Sequence, residues 1–342
     1  NKNYKTHSKS LEKRKGAPLN LSKIFKRKIL GLPEHIHKDS ITDAQINLGK
    51  KLFFDRRISL NETISCAMCH IPEQGFTSQE LATPVGFEGR SLRRNAPTLY
   101  NVSYNKLLFH DGREYSLENQ VWSPLLKENE MANPSIGYII KKIESFNDYN
   151  NLFEHAFNGE KPNVLNIGYS FAAYLKTFIS GNSAFDRWYF GKDENAITDE
   201  AKKGFKVFVG KGLCSTCHTI KSNYALFTDH QLHNTGLGYA RSLGIKTINN
   251  KLQIAPGVFI EIDKNSIKNI PIEKVDDLGH YEITQNPNDR WKYKTPTLRN
   301  ITLTSPYMHD GSLDTLEAVI DFYDSGGISN ENLDPMIRPL GL

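Results

Sequence analysis

Two copies of Cys-x-x-Cys-His hold all four cysteines of this 342-residue chain: Cys66-Ala-Met-Cys69-His70 and Cys214-Ser-Thr-Cys217-His218. The pattern reads as c-type haem attachment. Two thiols can bond a haem's vinyl groups, and the adjacent imidazole can ligate its iron. Cys-x-x-Cys alone also occurs in redox dithiols and as half of a zinc site. Neither reading explains the histidine that follows both pairs, and no cysteine remains for a disulfide framework. Two such sites in one chain imply electron movement, in a carrier or in an enzyme.

A second pattern is internal similarity. Ala96-Pro-Thr-Leu-Tyr-Asn-Val102 matches Thr295-Pro-Thr-Leu-Arg-Asn-Ile301. Thirteen residues after Pro97 comes His110-Asp-Gly112, and thirteen after Pro296 comes His309-Asp-Gly311. Each is followed by a helix start, with Ser116 and Thr315 as N-caps. The halves differ in spacing: 27 residues separate His70 from Pro97, but 78 separate His218 from Pro296. The extra stretch, roughly 219–290, is polar and is expected to form loops beside the second motif. Helices are expected over Thr42–Phe53, over Phe171–Ile179 and from Thr198 through Phe208. Strand signals are sparse. The expected fold is mainly α, with two cytochrome-c-like domains related by duplication. Their bounds are 29–192 and 193–342, behind a basic N-terminal arm, 1–28.

That arm carries ten Lys/Arg against the single acid Glu12, leaving 33 basic and 37 acidic residues in the body. The sequence pI of 8.8 therefore describes the arm. A solvated tether is one reading; contact with anionic lipid or an acidic partner is the other. The acidic body and the lack of interleaved aromatics exclude nucleic acid. No run of about twenty apolar residues marks a transmembrane helix. Haem attachment implies export, so a periplasmic protein whose leader is absent from this chain is expected.

With these motifs, the chain resembles the bacterial di-haem cytochrome c peroxidase and MauG superfamily from about residue 40 onward. The resemblance rests on both Cys-x-x-Cys-His motifs, Arg94-Asn-Ala-Pro-Thr98, Phe227-Thr-Asp229, Pro296-Thr-Leu-Arg-Asn300, Pro306-Tyr-Met-His-Asp-Gly311 and Leu333-Asp-Pro335. It implies hydrogen peroxide as oxidant. The donor would be a small cytochrome c or cupredoxin, or the substrate a protein or organic molecule; a homodimer stays open. It also implies Glu130 as distal acid/base and Gln120 as distal amide. Calcium between the domains would take Asn95, Thr304 and Pro306 as ligands.

The internal register separates the two sites. Pro124 and Tyr323 each lie fourteen residues after their histidine, His110 or His309. Proline offers no ligand, so the first haem should stay open. Tyr323 can offer a phenolate oxygen to the second, with Met308 and Met336 as rivals outside that register. Val85-Gly-Phe-Glu-Gly89 holds no histidine to close the first haem. These features favour the MauG-like branch. His110 departs from it, standing where many relatives place Trp; a bond to a haem propionate or water is its expected role. His309 is expected to be structural. The main alternative is a non-catalytic di-haem electron-transfer protein, and a gas sensor is a weaker one.

Overall fold

The computed structural model describes residues 20–25, 27–34, 41–245 and 276–342, with the backbone of 251–255 and 258–261. Most of the basic arm lies outside them. Among the described residues, helices dominate. Sheet is confined to two two-stranded antiparallel pairs, β1 (Leu232–His233) with β4 (Tyr293–Lys294) and β2 (Lys251–Ala255) with β3 (Val258–Glu261).

The main core forms around α2 (Asp43–Phe54) and α7 (Val164–Leu175). Thr42 caps α2 by accepting from the Gln45 N–H, and the Gln45 amide reaches back to the Thr42 N–H. Asn163 and Asn166 form the same box on α7. Helix α7 begins seven residues before the expected Phe171 and ends at Leu175. Its start is set by the Asn163 cap rather than by the apolar run. Gly49 lets the two helices touch, because a Cβ there would stand 1.8 Å from the Ser170 carbonyl oxygen. Phe53, fully buried, meets Tyr174, Phe178 and Phe76 edge-on.

Ser116 and Thr315 are N-caps as expected, but their helices differ. Thr315 opens the continuous α12 (Leu316–Asp324). After Ser116 the helix divides into α3 (Leu117–Gln120) and α4 (Trp122–Leu126). Pro124 explains the division, since it has no N–H to give the Gln120 carbonyl.

The 219–290 stretch is more structured than loops. It contributes β1, α10 (Leu237–Leu243), the β2–β3 hairpin and α11 (Tyr281–Thr284). It also packs on the first half through buried charge. Arg94 donates to Asp277 through Nε and Nη2 at 2.7 Å each and to Asp111 through Nη1 at 2.6 Å. Arg93 grips Glu282 with two bonds. Burial alone would raise Asp277, but Arg94 holds its carboxyl well below the usual range.

A second buried pair lies across the 192/193 division. Arg299 donates to both oxygens of Asp186 at 2.9 and 2.8 Å, and to the carbonyls of Ala225 and Gly31. Gly31 and the helix α8 (Ala184–Tyr189) thus pack on the second half, although both precede residue 192. Ser180 joins the halves. Its backbone bonds the Asn101 amide, and its hydroxyl bonds the Asn300 amide at 3.0 to 3.1 Å.

Arg94→Met should destabilise the protein by about 3–5 kcal/mol, because two buried carboxylates lose their partner. Chemical denaturation checks this, and a loss under about 1 kcal/mol would show the network to be dispensable. Gly49→Ala should also lower the thermal midpoint, by forcing α2 from α7.

Candidate active site

Each Cys-x-x-Cys-His is wound into a short 3₁₀ turn, Cys66–Met68 and Cys214–Thr216. In both, the histidine N–H donates to the first cysteine's carbonyl at 2.9 Å. His70 Nδ1 pairs with the Phe76 carbonyl at 3.0 Å, and His218 Nδ1 with the Phe227 carbonyl at 2.8 Å. A carbonyl can only accept, so Nδ1 carries the proton and Nε2 keeps its lone pair. That is the tautomer an iron ligand needs. Burial lowers both imidazole pKa values and keeps the rings neutral.

The Pro-Thr-Leu segments stand behind these rings. Thr98 Oγ1 donates to the Gly75 carbonyl and Thr297 Oγ1 to the Leu226 carbonyl, each at 2.7 Å. Gly75 and Leu226 directly precede Phe76 and Phe227, so each threonine anchors the residue next to the carbonyl that fixes a histidine. The Pro97 and Pro296 carbonyls act on the same two rings. Phe76 and Phe227 have left-handed backbones, with φ of 58° and 52°. Their rings are wedged in place. Phe76 stacks on Phe178 at 4.1 Å, and Phe227 meets Phe185 at 5.1 Å and Phe208 at 6.3 Å. Sequence reading noted Phe227 only within a motif and passed over Phe76; neither spacing nor type announces a carbonyl acceptor.

The thiols are poor candidates for dithiol redox chemistry. Burial pushes Cys66 up to about 12 and Cys69 to about 11, with the Glu130 carboxylate adding to both. A redox-active pair needs a lowered value. Among the described residues one triad could approach a metal: Cys217, Asp229 and His233. Both His233 nitrogens are already taken, by Asp229 at 2.8 Å and Asp334 at 2.6 Å. Its ring has no lone pair to give. The donor set fits the haem reading better than zinc.

Glu130 is placed by the turn after α4. The Met131 N–H donates to the Pro124 carbonyl, and the Asn133 N–H and amide both donate to the Leu125 carbonyl. From the other side, the Phe87 N–H donates to the Glu130 carbonyl at 3.1 Å. Gly86 permits this approach, since a Cβ would stand 2.1 Å from the Asn129 carbonyl oxygen. The Val85–Gly89 loop therefore packs on the backbone that carries Glu130. Burial raises the Glu130 pKa; Lys127 and Arg113 oppose the rise without cancelling it. Gln120 ends α3 partly exposed, and its side chain bonds no described residue. Pro124 sits within α4 on the same side of the chain reversal.

Tyr323 lies near the end of α12. Burial raises its phenol well above the ordinary value, and Cys217 and Cys214 add to the rise, which places the phenol near the second motif. Of its rivals, Met336 is 42% exposed. Met308 matches Phe109 in register, and both have positive φ, 72° and 62°.

Asn95 is buried against Pro306, its Nδ2 donating to the Pro306 carbonyl at 2.5 Å. Asn95 Oδ1 is buried with no partner among the described residues. An orphaned amide oxygen beside a carbonyl suits a hard cation. His110 directs Nε2 to the Asn95 carbonyl at 2.9 Å, so that nitrogen is engaged by backbone. Burial, His309 and Arg94 drop its pKa to about 3, and the ring is neutral. His309 lies flat on Tyr293, with centroids 3.6 Å apart and planes at 14°.

Residues 43–194 match the family model of the di-haem cytochrome c peroxidases. The methylamine utilization protein MauG of Methylorubrum extorquens is 33% identical, over 89% of this chain and 75% of its own. The cytochrome c551 peroxidase of Nitrosomonas europaea is 32% identical, over 80% of this chain and 71% of its own. A solved MauG-like protein associated with microbial copper homeostasis superposes with a TM-score of 0.72 at 26% identity, covering 92% of this chain and 89% of its own. No described helix is long and apolar enough to cross a membrane. The chain belongs to the di-haem cytochrome c peroxidase and MauG family, and it is a peroxide-dependent haem oxidoreductase.

Proposed function

We propose that the two sites are chemically unequal: an open peroxide site at Cys66–His70 and a closed electron-transfer site at Cys214–His218. The observation that carries this is the pair Pro124 and Tyr323, in one register on α4 and α12. The repeated Pro-Thr-Leu supports, the His-Asp-Gly turns and the left-handed Asn101 and Asn300 support an internal duplication behind that register. The two domains are assigned to 29–192 and 193–342. Cys66, Cys69, Cys214 and Cys217 are assigned as thioether attachments, and His70 and His218 as proximal ligands. Bound haem would supply iron for O–O cleavage at the first site and for electron exchange at the second.

The remaining roles belong to side chains. Peroxide reduction takes two electrons and two protons and yields two waters. Glu130 takes a proton from the near peroxide oxygen and returns it to the departing one. Its raised pKa suits that exchange near neutral pH. Gln120, with a free amide, holds the bound oxygens. Tyr323 caps the second site through its phenolic oxygen. Burial holds the phenol proton tightly, and Tyr323 would have to give it up to serve as a ligand. His110 braces the Asn95 loop between the sites. Calcium is assigned to Asn95 Oδ1 and the Thr304 and Pro306 carbonyls, on the strength of the orphaned amide oxygen. Attachment of this kind favours a periplasmic location. The donor would be a small cytochrome c or cupredoxin; the MauG-like reading instead takes a protein or organic substrate.

The diferric protein should react with stoichiometric peroxide without prior reduction, seen as a change in both Soret bands. Reaction only after half-reduction would restore the classical peroxidase cycle. No reaction in either state would favour the pure carrier. Glu130→Gln should slow the peroxide reaction by roughly 10²–10⁴-fold. It should also remove an acid limb lying above the ordinary carboxylate range, since the group must be ionised to take the proton. Stopped-flow rates across pH measure both effects. Tyr323→Phe should alter only the low-spin EPR signal; an unchanged signal would reject Tyr323 as ligand.

A further inference from the structure

Lys294 is held by backbone on two sides. Its N–H donates to the His110 carbonyl at 2.6 Å, and it pairs with Leu232 across the β1–β4 ladder. Its ammonium makes no hydrogen bond or ion pair with a described residue. Burial drops its pKa to about 8, and no carboxylate among the described residues acts to raise it. His230 approaches from the segment before β1. Its backbone is left-handed, with φ of 62°, and its N–H is spent on Thr228 Oγ1 at 3.0 Å. Its Nδ1 is buried with no partner among the described residues. After burial, Lys106, Lys294 and Lys221 all push the His230 pKa down, and Asp229 alone opposes them. Asp229 is already committed to His233 at 2.8 Å.

Fold and sequence place this cationic group beside the second motif. Phe227, whose carbonyl holds His218, lies three residues before His230. Pro296, whose carbonyl acts on the same ring, lies two residues after Lys294. On its other side Lys294 meets His110, at the joint with the first half. An ammonium without a counter-charge in such surroundings carries an uncompensated desolvation cost. A carboxylate in reach would convert that cost into charge-assisted hydrogen bonds.

We propose that Lys294 and His230 form the seat of a propionate carboxylate of the haem bound at Cys214–His218. The proposal rests on haem occupying that site. It makes Lys294 a positioning residue that links the haem edge, the β1–β4 ladder and the backbone of His110. Withdrawing the positive charge leaves the carboxylate uncompensated and favours the ferric state, so the potential of that haem should fall.

The test uses the haem-loaded protein and its Lys294→Met, Lys294→Arg and His230→Gln variants. Haem is counted by pyridine haemochrome, both midpoint potentials are taken by spectroelectrochemistry, and propionate bending modes are read by resonance Raman. Lys294→Met should retain two haems per chain, lower the potential of the six-coordinate haem alone and shift its propionate mode. Lys294→Arg should restore both readouts, and His230→Gln should shift the mode in the same direction. Two haems with unchanged potentials and modes in Lys294→Met would overturn the proposal. So would a shift confined to the other haem, or one that appears only on adding chloride or phosphate, which marks an inorganic anion site. If Lys294→Met does not fold, the His230→Gln mode decides: shifted, it supports the seat; unshifted, it overturns it. Fewer than two haems in the unaltered protein would instead sink the reading on which the proposal rests.

Discussion

The bond from each histidine Nδ1 to a phenylalanine carbonyl is the constraint on which the rest of the site depends. It fixes the tautomer, aims Nε2 and ties two loops to two aromatic clusters. The carbonyl is correctly directed only because Phe76 and Phe227 take left-handed backbones, which cost roughly 1–2 kcal/mol each in an L-residue. Ring burial offsets that strain. Phe76 lies against Phe178, Phe53 and Tyr100; Phe227 lies against Phe185 and Phe208. A change in either cluster therefore reaches the imidazole without touching it. The Pro-Thr-Leu threonines complete the support by holding the residue before each phenylalanine.

Buried charge sets how the halves meet. Arg94 and Arg299 each spend several donors on buried carboxylates, and each joins segments more than a hundred residues apart. Such pairs contribute little net stability once desolvation is counted, yet losing one partner is costly. Their effect is to penalise every arrangement in which the arginine fails to find its acids. Asn95, His110 and Lys294 all lie near the Arg94 network, so the joint between the sites inherits its rigidity.

Much of this was legible in the sequence. Cap residues announced α2, α9 (Asp199–Val209) and α12, because Thr has a strong local preference at N-caps that tertiary contacts did not override. The repeated His-Asp-Gly carried its turn geometry with it, closed by Leu108–Glu114 and Tyr307–Leu313 bridges. Other features depend on partners distant in sequence and could not be read. Nothing about Asp277 or Glu282 marks them as partners of Arg94 and Arg93, and the polar 219–290 stretch looked like loop for that reason. Phe76 looked like an ordinary core residue, since its functional atom is backbone. The start of α7 is obscured in the sequence because the apolar run from Phe171 is a stronger signal than the Asn163 cap before it.

The helices that follow Ser116 and Thr315 differ by one missing N–H. In the second half nothing interrupts α12, and its last turn carries Tyr323 toward the motif. In the first half Pro124 denies the Gln120 carbonyl its partner, and the helix divides there. After α4 the chain reverses, with Met131 and Asn133 bonded back to Pro124 and Leu125. That reversal is what delivers Glu130 to the neighbourhood of Cys66 and Cys69. Pro124 thus divides the helix and, in the proposed reading, withholds a sixth ligand from the first site. Replacing Pro124 with a ligating residue would not turn the first site into the second. The divided helix would also have to close into one like α12.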